Sequence, residues 1–428
     1  MIAYAPGYLF NDADVKYNLF LFTLPGSTSG FSLIEVFIPL VFIKAIQTKC
    51  KIDVHPIYMF LFVFIAILFF ATFFMDTSIQ KLLRTLRFFI PYTLLLALPA
   101  LLKTPGKFLT VFNYFIVFSI AILGLQIYRI FSGEHLMLTL GGVYVKTIES
   151  HNITGVGDIR SQLLYTLYST HILLLNVAIC VYYLLARKRS IVNGIKKPKF
   201  IGLFLFFSFF SLVLSGNRGY TLASCLILSL FMLVNIKNIF SLLKYLVITA
   251  VLVASLLTVP AIKYQMTLAV ARISTILLLI DGDLTAGGTL KRLDVRQPRV
   301  MKKFKESPII GQGFSDTFYK YRDGHVANAQ ILMNSGVIGF AVFLIFISFF
   351  VFKPIQFYLL TKKTQYLALT FGVLAFMLLH SSSYMVFCYI IGTANYRVFF
   401  LLISFLIVLS YESKKFRKSK DKHPYSVL

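Results

Sequence analysis

Apolar stretches of roughly 20 residues recur along this whole chain, each long enough to cross a hydrocarbon core about 30 Å thick. Nothing else in the sequence narrows the fold as much. Inside lipid no water satisfies backbone N–H and C=O groups, so a spanning segment must be a helix or part of a closed barrel. The stretches are continuous rather than alternating, which selects helices. Composition agrees: 58% apolar and 14% charged residues leave most of the chain no polar face for water. The sequence therefore predicts an all-α polytopic membrane protein of about eleven transmembrane helices (roughly 10–12), forming a single integral membrane domain over residues 1–428.

The expected spans are Phe31–Gln47, Pro56–Met75, Phe88–Leu102, Phe108–Phe131, Leu163–Ala186, Phe200–Ser215, Tyr220–Val234, Leu242–Val259, Val326–Phe352, Tyr366–Cys388 and Val398–Tyr411. Tyr17–Leu24 is too short to span and is read as interfacial. The first 25 residues show no basic segment leading to a small-residue cleavage site, so no cleavable signal peptide is expected. Cys50, Cys180, Cys225 and Cys388 lack metal-ligand spacing and read as small apolar residues rather than a disulfide framework.

Lysine and arginine total 42 against 16 acids, a formal charge of +26. Most of this charge lies in short loops, where it sets orientation. The basic tail 412–428, with Lys414, Lys415, Arg417, Lys418, Lys420 and Lys422, is expected in the cytoplasm. So are Arg187, Lys188, Arg189, Lys196, Lys197, Lys199, Lys44, Lys49 and Lys51. That parity places the N-terminus, Gly133–Arg160, Gly216–Gly219 and Ser381–Arg397 on the extracytoplasmic side. Lys81, Arg84 and Arg87 then fall outside, against the rule. Basic residues confined to loops between spans argue against nucleic acid. A surface for an anionic lipid or substrate is the second reading of the charge.

Residues 261–325 are expected to form a large extracytoplasmic, periplasmic loop. A connection of about 65 residues in a compact protein is functional or disordered as a rule. Gly311, Gly313 and Gly324, set among Phe314, Phe318, Tyr319 and Tyr321, suggest an ordered lid. The tight turn Ser215–Tyr220 puts Arg218 at headgroup depth, where a planar fork can grip a phosphate. The same arginine could instead be a snorkelling helix-end residue. His325 stands at the outer mouth of the ninth span, suited to a general base or a phosphate ligand. A solvated interfacial histidine is the alternative. Arg129, His380 with Ser381–Ser383, and Arg397 also fall at outer helix ends, and Arg84 and Arg87 join them in this topology. Cations gathered on one face suit a lipid-linked diphosphate. No carboxylate pair, Walker loop or His/Cys metal set is evident, so neither metal nor cofactor is expected.

These residues resemble the O-antigen ligase/polymerase superfamily, the bacterial Wzy-type and WaaL-type membrane glycosyltransferases. An arginine followed at the fourth position by leucine matches Arg218 and Leu222. A histidine followed at the eleventh position by glycine matches His325 and Gly336. A loop arginine ahead of a Pro–Ile–Gly-x-Gly turn matches Arg292, with Pro308, Gly311 and Gly313 behind it. The likeness runs from about Ser215 to Gly339. Arg296 stands where the family often has an aromatic residue, which leaves Arg292 and Arg296 as alternatives for the loop arginine.

The resemblance implies a GT-C-like architecture and a metal-independent enzyme of the bacterial inner membrane, with its active site on the periplasmic face. It implies undecaprenyl-diphosphate-linked oligosaccharides as donor and acceptor, membrane lipids around them and a chain-length regulator as partner. His325, Arg218 and Arg292 would be catalytic; Arg296, Arg129, Arg397, Arg84 and Arg87 would bind the diphosphate. A polymerase joins repeat units, a ligase hands the chain to lipid A core or protein, and a flippase only moves it. All three remain open at this point.

Overall fold

The structure, a computed structural model, describes residues 33–48, 54–75, 77–78, 89, 92–132, 170–186, 200–235, 239–282, 292–382 and 395–422. All regular elements among them are helical. In chain order they are α1 (Leu33–Gln47), α2 (Tyr58–Phe73), α3 (Thr93–Leu102), α4 (Pro105–Ser132), α5 (Thr170–Leu185), α6 (Ile201–Leu214), α7 (Arg218–Asn235) and α8 (Ile239–Leu257). Then follow α9 (Pro260–Ser274), α10 (Leu277–Ile280), a π-helical turn (Arg292–Arg296), α11 (Gln297–Phe304), α12 (Asp316–Tyr321), α13 (Ala327–Thr361), α14 (Gln365–Ser382) and α15 (Asn395–Lys422). The described part of each of the eleven expected spans falls on one of these helices, and Tyr17–Leu24 lies outside the described residues.

Among the described residues, two helices are long and apolar enough to cross a membrane, Arg218–Asn235 and Ala327–Thr361. The number rises to four if each of two bent pairs is one span: Thr93–Leu102 with Pro105–Val117 (110°) and Val247–Leu257 with Pro260–Ser274 (113°). Tyr58–Phe73, His171–Leu185, Ile201–Leu214, Gln365–Ser381 and Val398–Tyr411 are shorter apolar helices. Their surfaces suit lipid. On α2 the buried residues Tyr58, Leu61, Phe64, Leu68 and Ala71 recur every third or fourth position. Its other face exposes Phe62, Val63, Phe70 and Phe73, the last 78% accessible. So much exposed apolar surface marks an interaction with something other than water.

The interior belongs to α5 and the first half of α15. Every residue from His171 to Tyr183 and from Val398 to Ser410 is buried, as expected of helices apolar on all sides. α5 packs on α6, α7, α14 and α4. Where α14 crosses α5, Gly372 removes the side chain: a Cβ there would stand 3.3 Å from the Ala178 Cβ. Close approach of this kind drives helix association in lipid, where the hydrophobic effect between helices is absent.

Polar contacts fix the direction of each helix. Tyr183 Oη donates to Leu109 O (3.1 Å) and Asn113 Oδ1 (2.6 Å), so α4 starts beside the end of α5. Gln365 Nε2 donates to Tyr182 Oη at 3.3 Å, which brings the start of α14 to the same end. Both α4 and α14 run away from it. At the opposite end Ile130 of α4 packs with Leu214 of α6 and Ile262 of α9. There too Asn328 Nδ2 of α13 donates to Ser381 Oγ of α14 at 3.0 Å.

The described residues of the connection 261–325 are largely helical rather than irregular. Pro260 at the first position of α9 cannot continue α8, and the chain turns there. Residues 311–315 are buried, so the glycine turn is built into the bundle and does not lie over it as a lid. α13 explains how. It breaks at Gly336 (φ 62°, ψ −171°), a region of backbone space reserved for glycine. The opened carbonyls of Met333 and Asn334 accept from Gln312 N–H (2.7 Å) and Gly313 N–H (2.8 Å). Beyond the break, Val337 N–H donates to Pro308 O at 2.8 Å. Residues 308–313 thus occupy the gap and satisfy the backbone groups the gap exposes, as irregular backbone within a membrane bundle requires.

Candidate functional site

The first part of the site is the turn after α6. Gly216 (φ 61°) stops the helix in the left-handed conformation. Ser215 Oγ accepts from Asn217 N–H at 3.3 Å, and Asn217 Oδ1 caps α7 by accepting from Gly219 N–H at 3.2 Å. Arg218 is then the first residue of α7. A cation there opposes the helix dipole, so helix stability does not favour it; for an anion, guanidinium and dipole act together. Arg218 Nη1 donates to Thr275 Oγ1 at 2.7 Å, and that hydroxyl donates to Arg272 O at 2.7 Å. Gln265 Nε2 reaches Leu214 O at 2.8 Å, fastening α9 across the end of α6. The guanidinium is held between the start of α7 and the end of α9.

The second part surrounds His325. The π-helical turn carries Arg292 and Arg296 one turn apart and leads into α11, which carries Arg299. Single π turns of this kind concentrate at functional sites. Arg296 Nη1 lies 3.4 Å from Asp323 Oδ1 and Arg299 Nη2 lies 3.3 Å from Asp323 Oδ2. The carboxylate is 7% exposed, the arginine side chains 40% and 47%. Oδ1 also accepts the His325 backbone N–H at 3.0 Å. Asp323 N–H donates to Gln330 Oε1 (2.7 Å), and Gln330 Nε2 donates to Asn334 Oδ1 (2.8 Å), at the edge of the break in α13. Nearby, Lys303 Nζ lies over the Tyr321 ring at 4.9 Å. Its hydrogen bond to Glu306, 2.6 Å, holds the ammonium above the usual lysine range.

The two parts lie at the same end of the bundle. Leu214, which precedes the Arg218 turn, packs against Ile130 at the far end of α4. Asn328, just after His325, bonds Ser381 at the far end of α14. The α5 contacts described above make these one end. The backbone of Arg129 is there too, one residue before Ile130, and its side chain lies outside the described part. The same holds for the side chain of Arg397, in the first turn of α15. Arg84 and Arg87 lie outside the described residues altogether. Among the described residues no three of His, Cys, Asp and Glu gather as a metal set would.

Sequence reasoning passed over Asp323, Arg299 and Gln330. The aspartate had a local signal: two residues ahead of His325, it can fold its side chain back onto the backbone in an Asx turn. The arginine pairing had none, because Arg296 and Arg299 reach Asp323 through space across 24 or more positions.

Residues 202–344 match the family model described as O-Antigen ligase. This range contains Arg218, Arg292, Arg296, Asp323 and His325, together with the break at Gly336. No curated protein and no solved structure matches the chain.

Proposed function

Because residues 202–344 match the O-antigen ligase family, we propose that the chain is a surface-polysaccharide polymerase of the bacterial inner membrane. It transfers an undecaprenyl-diphosphate-linked oligosaccharide onto a hydroxyl of another lipid-linked repeat unit. The end that holds Arg218 and His325 faces the periplasm in this reading, the chain crosses the membrane about eleven times, and the tail 412–428 is cytoplasmic. What supports the proposal is that the Arg218 turn and the His325 loop lie toward the same end of the bundle.

The chemistry needs two things there. The acceptor oxygen attacks the anomeric carbon of the donor while the bond from that carbon to the phosphate oxygen breaks. Negative charge develops on the departing lipid diphosphate, and a proton must leave the attacking hydroxyl. Arg218, at a helix N-terminus, stabilises the first where it develops; Arg292 and Arg296 extend the cationic surface. The imidazole of His325 accepts the second. Neither step calls for a bound cofactor.

Purified protein in proteoliposomes, given a defined lipid-diphosphate oligosaccharide, should build multimers. Arg218→Ala and His325→Ala should each lower kcat by about 10²–10³-fold with normal membrane insertion. Arg218→Lys should not restore it, because a point charge lacks the fork. If both alanine variants polymerise at the wild-type rate, the site is elsewhere. The match of residues 202–344 to the O-antigen ligase family favours a second reading, a ligase. Transfer to lipid A core sugars or protein, with no multimer formed on lipid diphosphate, selects it. Movement of the donor across the vesicle without transfer selects a flippase instead.

A further inference from the structure

We propose that Asp323 is a positioning residue that ties the arginines of the π turn and α11 to His325, so that an anion gripped by the one sets the other. Its carboxylate is shared. Oδ1 takes both Arg296 Nη1 (3.4 Å) and the His325 backbone N–H (3.0 Å), and Oδ2 takes Arg299 Nη2 (3.3 Å). Arg296 and Arg299 stand three residues apart on consecutive helical turns, where like charges repel. The carboxylate between them offsets that repulsion and holds both guanidiniums at one place. Burial separates the roles. Asp323 is enclosed, whereas each arginine leaves close to half its side chain exposed. A ligand therefore reaches the arginines and not the aspartate.

The contacts at 3.3–3.4 Å are long for charge-assisted hydrogen bonds, which run to about 2.7–2.9 Å. A pair this loose leaves the guanidiniums able to turn toward a diphosphate while Asp323 stays in place. The aspartate itself cannot follow them freely. Its N–H is fixed to Gln330 Oε1 (2.7 Å), and Gln330 is fixed to Asn334 beside the helix break. Asp323 is thus anchored to α13 on one side and tethers mobile cations on the other, with His325 hung from the same oxygen. Displacing that oxygen moves the histidine backbone. Misplacement of a reacting group by about 1 Å costs about 10²-fold in rate.

The test compares Asp323→Asn, which keeps an acceptor oxygen for His325 N–H and loses the charge, with Asp323→Ala, which loses both. Two readouts are taken on full-length protein with matched melting curves. The first is modification of His325 by diethyl pyrocarbonate, followed by mass spectrometry, which needs no turnover. Asp323→Ala should react several-fold faster than wild type, and Asp323→Asn at close to the wild-type rate. The second is steady-state transfer, which rests on the functional reading above. Asp323→Asn should raise the donor KM several-fold with little change in kcat; Asp323→Ala should also lower kcat by about 10²-fold. Equal His325 reactivity in all three proteins overturns the proposal. So does loss of activity in both variants to the same extent and only in proportion to lost folded protein. A wild-type protein without transferase activity but with the expected reactivity pattern refutes the polymerase assignment and leaves the tether standing.

Discussion

α5 and α13 solve opposite problems with the same material. α5 is uninterrupted, enclosed on every side from His171 to Tyr183, and joined to its neighbours mainly by apolar packing. α13 is interrupted at Gly336, takes residues 308–313 into the gap, and brings His325 and its polar partners to one end. The buried helix gains from regularity, because each backbone group is satisfied within the segment. The broken helix gives up that economy to admit a loop into the bundle, and it holds together only while the intruding segment supplies the missing hydrogen bonds. Mutations should therefore hurt α13 through backbone geometry and α5 through side-chain detail, with effects of different size.

The largest effect is expected at Gly336. A Cβ there would run into the Ile309 carbonyl, and the backbone angles exclude other residues. Strain of about 1–3 kcal/mol and overpacking of similar size should cost Gly336→Ala about 3 kcal/mol or more, read as a fall in the melting midpoint in detergent. An unchanged midpoint would mean that residues 308–313 do not occupy the gap, and the contrast with α5 would disappear.

Much of α5 was readable from composition alone. Hydropathy marks where each apolar helix lies, because a span depends on a local run of residues. The turn at Ser215–Asn217, with Arg218 behind it, was likewise local. Gly336 shows the limit. It could be named as the partner of His325 in a spaced motif, but its role in breaking the helix depends on Pro308–Gly313, more than 20 positions away. α9 escaped notice for a related reason. Lys263, Gln265 and Arg272 interrupt its hydropathy, although Ile262 and Ala269 keep helical spacing and are buried. Of the site, the arginines and the histidine carry their own chemistry and could be named. Asp323 could not be assigned its partners, since a carboxylate chooses them in space.

A smaller effect should sharpen the picture of α5. Tyr183→Phe removes the hydroxyl that bonds Leu109 O and Asn113 Oδ1 and leaves the ring packed. Hydrogen bonds between membrane helices contribute about 0.6 kcal/mol on average, so the midpoint should fall only slightly. A loss as large as that at Gly336 would show that α5 too depends on a polar contact to hold its place.

The smallest shift should carry the opposite sign. Asn176 lies in the middle of α5, is 1% exposed, and neither its Oδ1 nor its Nδ2 has a hydrogen-bond partner among the described residues. Replacing a buried, unsatisfied amide by an apolar group of the same shape is nearly neutral or slightly stabilising. Leucine is close in volume. Asn176→Leu should therefore melt at or slightly above the wild-type midpoint, with transfer activity unchanged. A drop in stability would reveal a partner for the amide, such as a bound water held in the bundle. A drop in activity at unchanged stability would move Asn176 out of the packing core and into the path of a substrate. Either result would make α5 resemble α13, a helix in which a polar group is kept for more than packing.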